Sequence, residues 1–167
     1  MSKVERFEEW MHLCEHDVLR TCLLFLGDRS LAEDALQETF LKVWRNMDRY
    51  EGRNHASVRT WILAIAVNTC RDQRKSAWFR RRRESVSVED VPLPSPDVPQ
   101  EAREMYIDVQ RLPDKLKEAV VLHHYHQLTK VETAKLLRIS RAALDRRLHK
   151  AYAALGYDRE EVSTDEE

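Results

Sequence analysis

Apolar residues recur at three- and four-residue intervals from the start of the chain: Phe7, Trp10, Leu13, Cys14, Val18, Cys22 and Phe25. That spacing predicts an amphipathic helix, and Gly27 predicts its end. Ser30-Leu31-Ala32-Glu33 has the form of a capping box, in which hydroxyl and carboxylate satisfy the orphan amides at a helix start. The helix that follows places Leu36, Phe40, Val43, Trp44 and Met47 on one face. A polar break from Glu51 to Ser57, containing Gly52, precedes a third helix from about Val58 to Trp78. This third helix is apolar nearly all round in its first half and basic at its end. Helices with so much apolar surface have to pack on one another, so a small bundle is predicted.

The pattern then stops. Val91-Pro-Leu-Pro-Ser-Pro-Asp-Val-Pro99 holds four of the five prolines, which remove backbone donors and bias each preceding residue away from helix. An extended, fairly stiff linker is expected there. Beyond it a helix starts near Leu112-Pro113, carries Leu116, Ala119, Val120 and Tyr125, and ends near His126. Two shorter helices follow, about 130–137 and 141–155. The expected architecture is all-α, with two small helical domains, 1–83 and 101–156, joined by an acidic, Pro-rich linker over 84–100. An acidic tail, 157–167, closes the chain.

The last two helices have helix-turn-helix spacing. Val131 and Ala134 on the first are set to face Leu144 and Leu148 on the second, Ile139 plugs the turn, and Ser140 is placed to cap. Arg141, Ala142, Asp145, Arg146 and His149 are then left outward. In such motifs the N-terminal half of the second helix enters the major groove. An ordinary helical hairpin with a solvated outer face has the same spacing.

Charge changes the picture. The formal net charge is only −1, but the charges are segregated. Arg71 to Arg83 holds seven basic residues and one acidic, and Glu84 to Gln110 seven acidic and one basic. Arg111 to Leu155 holds ten basic and four acidic, and the segment from Gly156 six acidic and one basic. Two basic segments divided by an acidic one suggest two polyanion-binding surfaces on separate modules.

Other chemistry is thin. No apolar run approaches bilayer-spanning length, and Met1-Ser2-Lys3-Val4-Glu5 is charged from the start, unlike a signal peptide. Cys14, Cys22 and Cys70 lack metal or redox spacing and lie in apolar patterns, so buried, reduced thiols and a cytoplasmic location are expected. His123-His124-Tyr125-His126 has no Cys or carboxylate to complete a metal set. No phosphate loop, nucleophile elbow or paired carboxylates are visible, so neither a cofactor nor catalysis is expected.

Two sets of motifs carry a family resemblance. Leu128-Thr129-Lys130-Val131-Glu132-Thr133-Ala134-Lys135-Leu136-Leu137-Arg138-Ile139-Ser140, with Leu144 and Arg147-Leu148-His149-Lys150-Ala151, resembles the fourth conserved region of extracytoplasmic-function sigma factors. Leu112-Pro113 and Val120-Val121-Leu122 match its preceding helix. Independently, Ala32 to Trp44 is similar to the region-two segment that grips RNA polymerase. Thr60-Trp61-Ile62-Leu63 with Ile65-Ala66-Val67-Asn68 is similar to the segment that reads and opens the minus-ten element. The resemblance implies a transcription initiation factor that binds core RNA polymerase and promoter DNA, both duplex and melted, under the control of an anti-sigma factor. A plain helix-turn-helix regulator and a helical protein-interaction adaptor are the alternatives.

Residues with suitable chemistry stand at those positions. Asp34, Gln37, Glu38, Leu41 and Arg45 share the outward face of the second helix, a polar face with an apolar centre suited to polymerase. Trp61, Ala64, Asn68, Arg71 and Lys75 fall on one stripe of the third helix. They supply the planar, polar and cationic groups that a single strand needs. The loop before it, with Asn54, His55 and Ser57, and the adjoining Arg59, is placed by the resemblance to hold an extruded base. Arg80 to Arg83 is expected to touch backbone phosphate. On the upstream element the expected set is Arg138, Arg141, Ala142, Asp145, Arg146, His149 and Lys150. Several features depart from the family pattern, among them Ala143, where a small polar residue is usual, and a loop before Trp61 that is about two residues longer than common versions. Arg138 stands at a turn position that commonly holds glycine. Asp145 stands where a basic residue is usual, and a carboxylate there repels phosphate but can accept from a cytosine amino group.

Overall fold

The computed structural model describes residues 1–50, 57–76 and 100–157. The chain divides into two compact units, Met1–Pro92 and Leu93–Glu167, and the described residues of both are helical.

The first unit is a bundle of three helices, each packed on the other two. Helix α1 spans Lys3–Leu26, opened by a capping box between Ser2 and Glu5 and closed at Gly27 in the left-handed region (φ 66°). Helix α2 spans Arg29–Asn46 and runs into a single 3-10 turn, Met47–Arg49. Its cap is Asp28, whose Oδ1 accepts from the Leu31 amide at 2.9 Å, so the expected box at Ser30 does not form. Asp28 sits two residues earlier, directly after Gly27 has turned the chain, and Ser30 is already inside the helix and exposed. Helix α3, Val58–Arg74, stops short of the predicted Trp78, with Lys75 as its C-cap.

Cys14, Val18, Cys22, Phe25, Val43, Met47, Ile62, Leu63, Ala66 and Val67 fill the centre of the bundle. Full burial of a Leu, Ile, Met or Phe side chain stabilises by about 1.5–3 kcal/mol, so a few such residues decide whether a unit this size folds. Leu13, placed by spacing on the apolar stripe, is 62 % exposed. The packed arc of α1 is narrower than the apolar arc of its sequence. The Sγ atoms of Cys22 and Cys70 lie 3.6 Å apart in the core. Burial pushes the Cys14 thiol up to about 11, and the Cys22 thiol is also raised, by its hydrogen bond with Cys70 and by burial, which favours the neutral thiols.

The second unit begins with a helix not placed from the sequence: α4, Gln100–Gln110, starts at the last residue of the expected linker. It contributes the fully buried Val109. Helix α5, Asp114–Val120, follows Pro113 and changes at Val121–Tyr125 into a π-helical turn, with the His126 amide bonding the Val121 carbonyl at 3.0 Å. The predicted single helix to His126 is therefore two geometries in series. His123, buried in that turn, donates from Nδ1 to the Leu128 carbonyl at 2.8 Å, which fixes its tautomer and ties the turn to the start of the next element. Helices α6, Lys130–Leu137, and α7, Arg141–Leu155, complete the unit and match the predicted bounds.

Candidate nucleic-acid and polymerase interfaces

The exposed side of α2 is a ridge between two grooves. Asp34 and Glu38 line a cleft of about 460 Å³ shared with α3, together with Lys42, Asp72 and Gln73. Inside it Lys42 Nζ donates to Thr69 Oγ1 at 3.1 Å and lies 3.9 Å from Asp72, linking the two helices. Gln37 and Leu41 line the other groove, about 500 Å³, shared with α1 and walled by Phe7, Met11, Leu36, Phe40 and Trp44. Asp34, Gln37, Leu41 and Arg45 are exposed and Glu38 is partly so. Leu41 is 48 % exposed, an apolar centre in a polar rim. The apolar walls given by Phe7 and Met11 were missed in the sequence because Phe7 read simply as core spacing and Met11 was not singled out.

At the start of α3 the expected residues have several different neighbours. Ser57 is the N-cap, its Oγ accepting from the Thr60 amide at 3.1 Å. Arg59 donates from Nε to Asp17 Oδ2 at 2.8 Å, an ion pair between α3 and α1. Trp61 joins a three-ring cluster, its centroid 6.0 Å from Trp10 and 5.3 Å from Tyr50. All three rings keep part of their surface in solvent, so Trp61 is both a packing residue and a partly open aromatic face. Asn68 and Arg71 continue the stripe half-buried, and Lys75 is exposed at its end. Asn54, His55 and the Arg80–Arg83 run lie outside the described residues.

In the second unit, Thr129 caps α6 by accepting from the Glu132 amide at 3.1 Å, and Ser140 caps α7 by accepting from the Ala143 amide at 3.1 Å. Between them Arg138 takes the left-handed conformation at φ 58°, ψ 44°. The Ile139 amide reaches back to the Ala134 carbonyl at 3.0 Å, closing the helix end as a glycine would. Thr133, Ala134, Leu136 and Leu137 of α6 and Leu144, Leu148, Ala151 and Tyr152 of α7 are buried. Val131 is not among them: at 54 % exposure it points away from the interface expected for it. Arg141, Ala142, Asp145, Arg146, His149 and Lys150 are all exposed along α7. Asp145 Oδ1 lies 3.4 Å from Lys130 Nζ and 3.8 Å from Arg141 Nε. Among the described residues no group of His, Cys, Asp and Glu is arranged to hold a metal ion, and no helix is long and apolar enough to cross a membrane.

A helix-turn-helix with a cationic outer face, in a chain whose other unit offers a partner-sized ridge, defines a DNA-binding protein with a second, separate interface. Comparison with known proteins narrows the class. Residues 11–82 match the family model of Sigma-70 region 2, and residues 109–155 that of Sigma-70, region 4. The sigma factor SigL of Mycobacterium tuberculosis is 31 % identical over 140 residues, covering 81 % of this chain and 78 % of that one. The sigma-E factor of Streptomyces coelicolor is 29 % identical over 160 residues, covering 93 % and 86 %. Among solved structures, the Bartonella quintana sigma factor RpoE in complex with the anti-sigma factor NepR aligns over 93 % of this chain and 99 % of that one. Its TM-score is 0.66 at 20 % identity, a likeness of fold. The chain belongs to the extracytoplasmic-function RNA polymerase sigma factors, transcription initiation factors that bind core polymerase and direct it to promoters.

Proposed function

We propose that this factor divides its work among three surfaces. The α2 ridge, through Asp34, Gln37, Glu38, Leu41 and Arg45, grips core RNA polymerase. Trp61, Asn68, Arg71 and Lys75 on α3, with Ser57 and Arg59 at its start, hold the melted minus-ten strand, and Asn54 and His55 complete that site from the loop. Arg138, Arg141, Ala142, Asp145, Arg146, His149 and Lys150 face the duplex of the upstream element. Polymerase performs the chemistry, and the factor supplies promoter choice and strand capture.

The observation that carries the reading is the segregation of α7, whose cationic side is wholly exposed while Leu144, Leu148, Ala151 and Tyr152 are buried. Cytoplasmic residence follows from a polymerase partner. Control by an anti-sigma factor is inferred from a protein of the same fold, the Bartonella quintana RpoE, which was solved with such a partner. Run-off transcription with purified core polymerase on a promoter library tests the reading. Selective transcription of a subset of promoters is expected, and the absence of factor-dependent transcripts would overturn it.

A further inference from the structure

Helix α7 carries a carboxylate on the side that faces DNA, where negative charge repels phosphate. Its neighbours give it another use. Asp145 Oδ1 is 3.4 Å from Lys130 Nζ, which projects from α6, and 3.8 Å from Arg141 Nε, one turn earlier on α7. Lys130 is only 17 % exposed, whereas Asp145 and Arg141 are each 50 % exposed. Exposed pairs of this kind contribute little to stability, so the effect of the contact lies in where the side chains point. The carboxylate meets the Nε edge of Arg141 and leaves the two terminal nitrogens, the fork that matches guanine O6 and N7, available for a base. Lys130 holds the same carboxylate from the other helix, so the orientation of Arg141 is referenced to the helix-turn-helix scaffold. With two cations to one carboxylate, the cluster still attracts DNA.

We propose that Asp145 is a positioning residue: bridged between Lys130 and Arg141, it aims the Arg141 guanidinium at a guanine of the upstream element and makes no base contact of its own. This rests on the upstream-element reading above. The test uses the full-length protein with core polymerase on a library randomised across the upstream element, reading base preference at each position. Asp145→Ala and Arg141→Ala are each expected to reduce preference for guanine at the same position by about tenfold. The double variant should be no worse than either single one, and Asp145→Glu should restore part of the preference. Binding to unrelated duplex should rise in Asp145→Ala, where a negative charge is lost, and fall in Arg141→Ala, a split that loss of folding does not produce. The inference is overturned if the two losses fall at different positions or add, or if Asp145→Ala leaves the profile unchanged. A lost preference for cytosine that Arg141→Ala does not share would show instead that Asp145 reads a base directly. A wild-type profile that is flat across the upstream element while transcription still depends on the minus-ten element overturns the upstream reading, and this inference with it.

Discussion

Arg138 shows how one residue can serve structure and function in opposite senses. At φ 58° it occupies a conformation in which an L side chain is strained and glycine is not. Arg138→Gly is expected to stabilise the protein by about 0.5–1 kcal/mol, the relief being partly offset by the greater freedom of glycine in the unfolded chain. The same variant removes a cation from the edge of the proposed duplex surface, so DNA affinity should fall and depend less steeply on salt. Urea denaturation and a salt titration of promoter binding check the two halves. On the first unit, charge reversal at Asp34 and Glu38 should reduce co-purification with core polymerase. Stability should change by less than about 0.5 kcal/mol, because neither carboxylate is buried. Undiminished co-purification would remove this cleft from the polymerase interface.

At the scale of the element, helix boundaries are set by caps, and the cap of α2 discriminates between two readings of one sequence. Asp28 accepts the Leu31 amide, while Ser30 lies inside the helix. Asp28→Ala is expected to cost about 1 kcal/mol, and Ser30→Ala to change stability by less than half of that, in chemical denaturation. Equal losses would restore the cap to Ser30. A comparable loss is expected for Ser140→Ala, which uncaps the recognition helix through the Ala143 amide. Helix α5 is governed differently. The π turn at Val121–Tyr125 turns His123 to the Leu128 carbonyl, so the geometry of the helix end prepares the start of α6.

For the whole molecule, the two DNA surfaces should fail separately. Asn68→Ala is expected to lower the yield of open complex, read by permanganate reactivity of melted thymines, and to leave the upstream base preference unchanged. A promoter already melted across the minus-ten region should restore much of the lost activity. A change confined to the upstream preference would show that Asn68 has been assigned to the wrong surface. The alternation of charge along the chain adds a second expectation. The stretches Glu84–Gln110 and Gly156–Glu167 together hold thirteen acidic residues and two basic ones, and are expected to compete with DNA for the basic surfaces. The isolated factor should therefore bind duplex promoter DNA weakly and gain affinity within polymerase. Nanomolar, sequence-specific binding by the isolated protein at physiological salt would contradict this.

Much of the local geometry of the candidate site was legible in the sequence. The bounds of α6 and α7, the exposed set on α7 and the outward face of α2 follow from a period of three to four residues, because a helix brings neighbours in sequence onto one face. The position of Arg138 allowed either a strained residue or an altered path of the turn, and the structure has the strained residue. What periodicity missed depends on contacts between distant parts of the chain. Helix α4 carries Ala102, Met105, Tyr106 and Val109 at helical spacing, but that period is short and directly follows the proline-rich stretch, and only the fold shows Val109 entering a core. Leu13 and Val131 fit the apolar period but remain exposed, since the partner helix covers only part of each stripe. The pairing of Arg59 with Asp17, the ring cluster of Trp10, Tyr50 and Trp61, and the bridge from Lys130 through Asp145 to Arg141 join residues on different elements. The sequence by itself determined most of the helices, the two-part organisation and the family. Only the tertiary structure decided which polar side chains are already engaged within the protein, because that depends on distances across helix interfaces that no local period encodes.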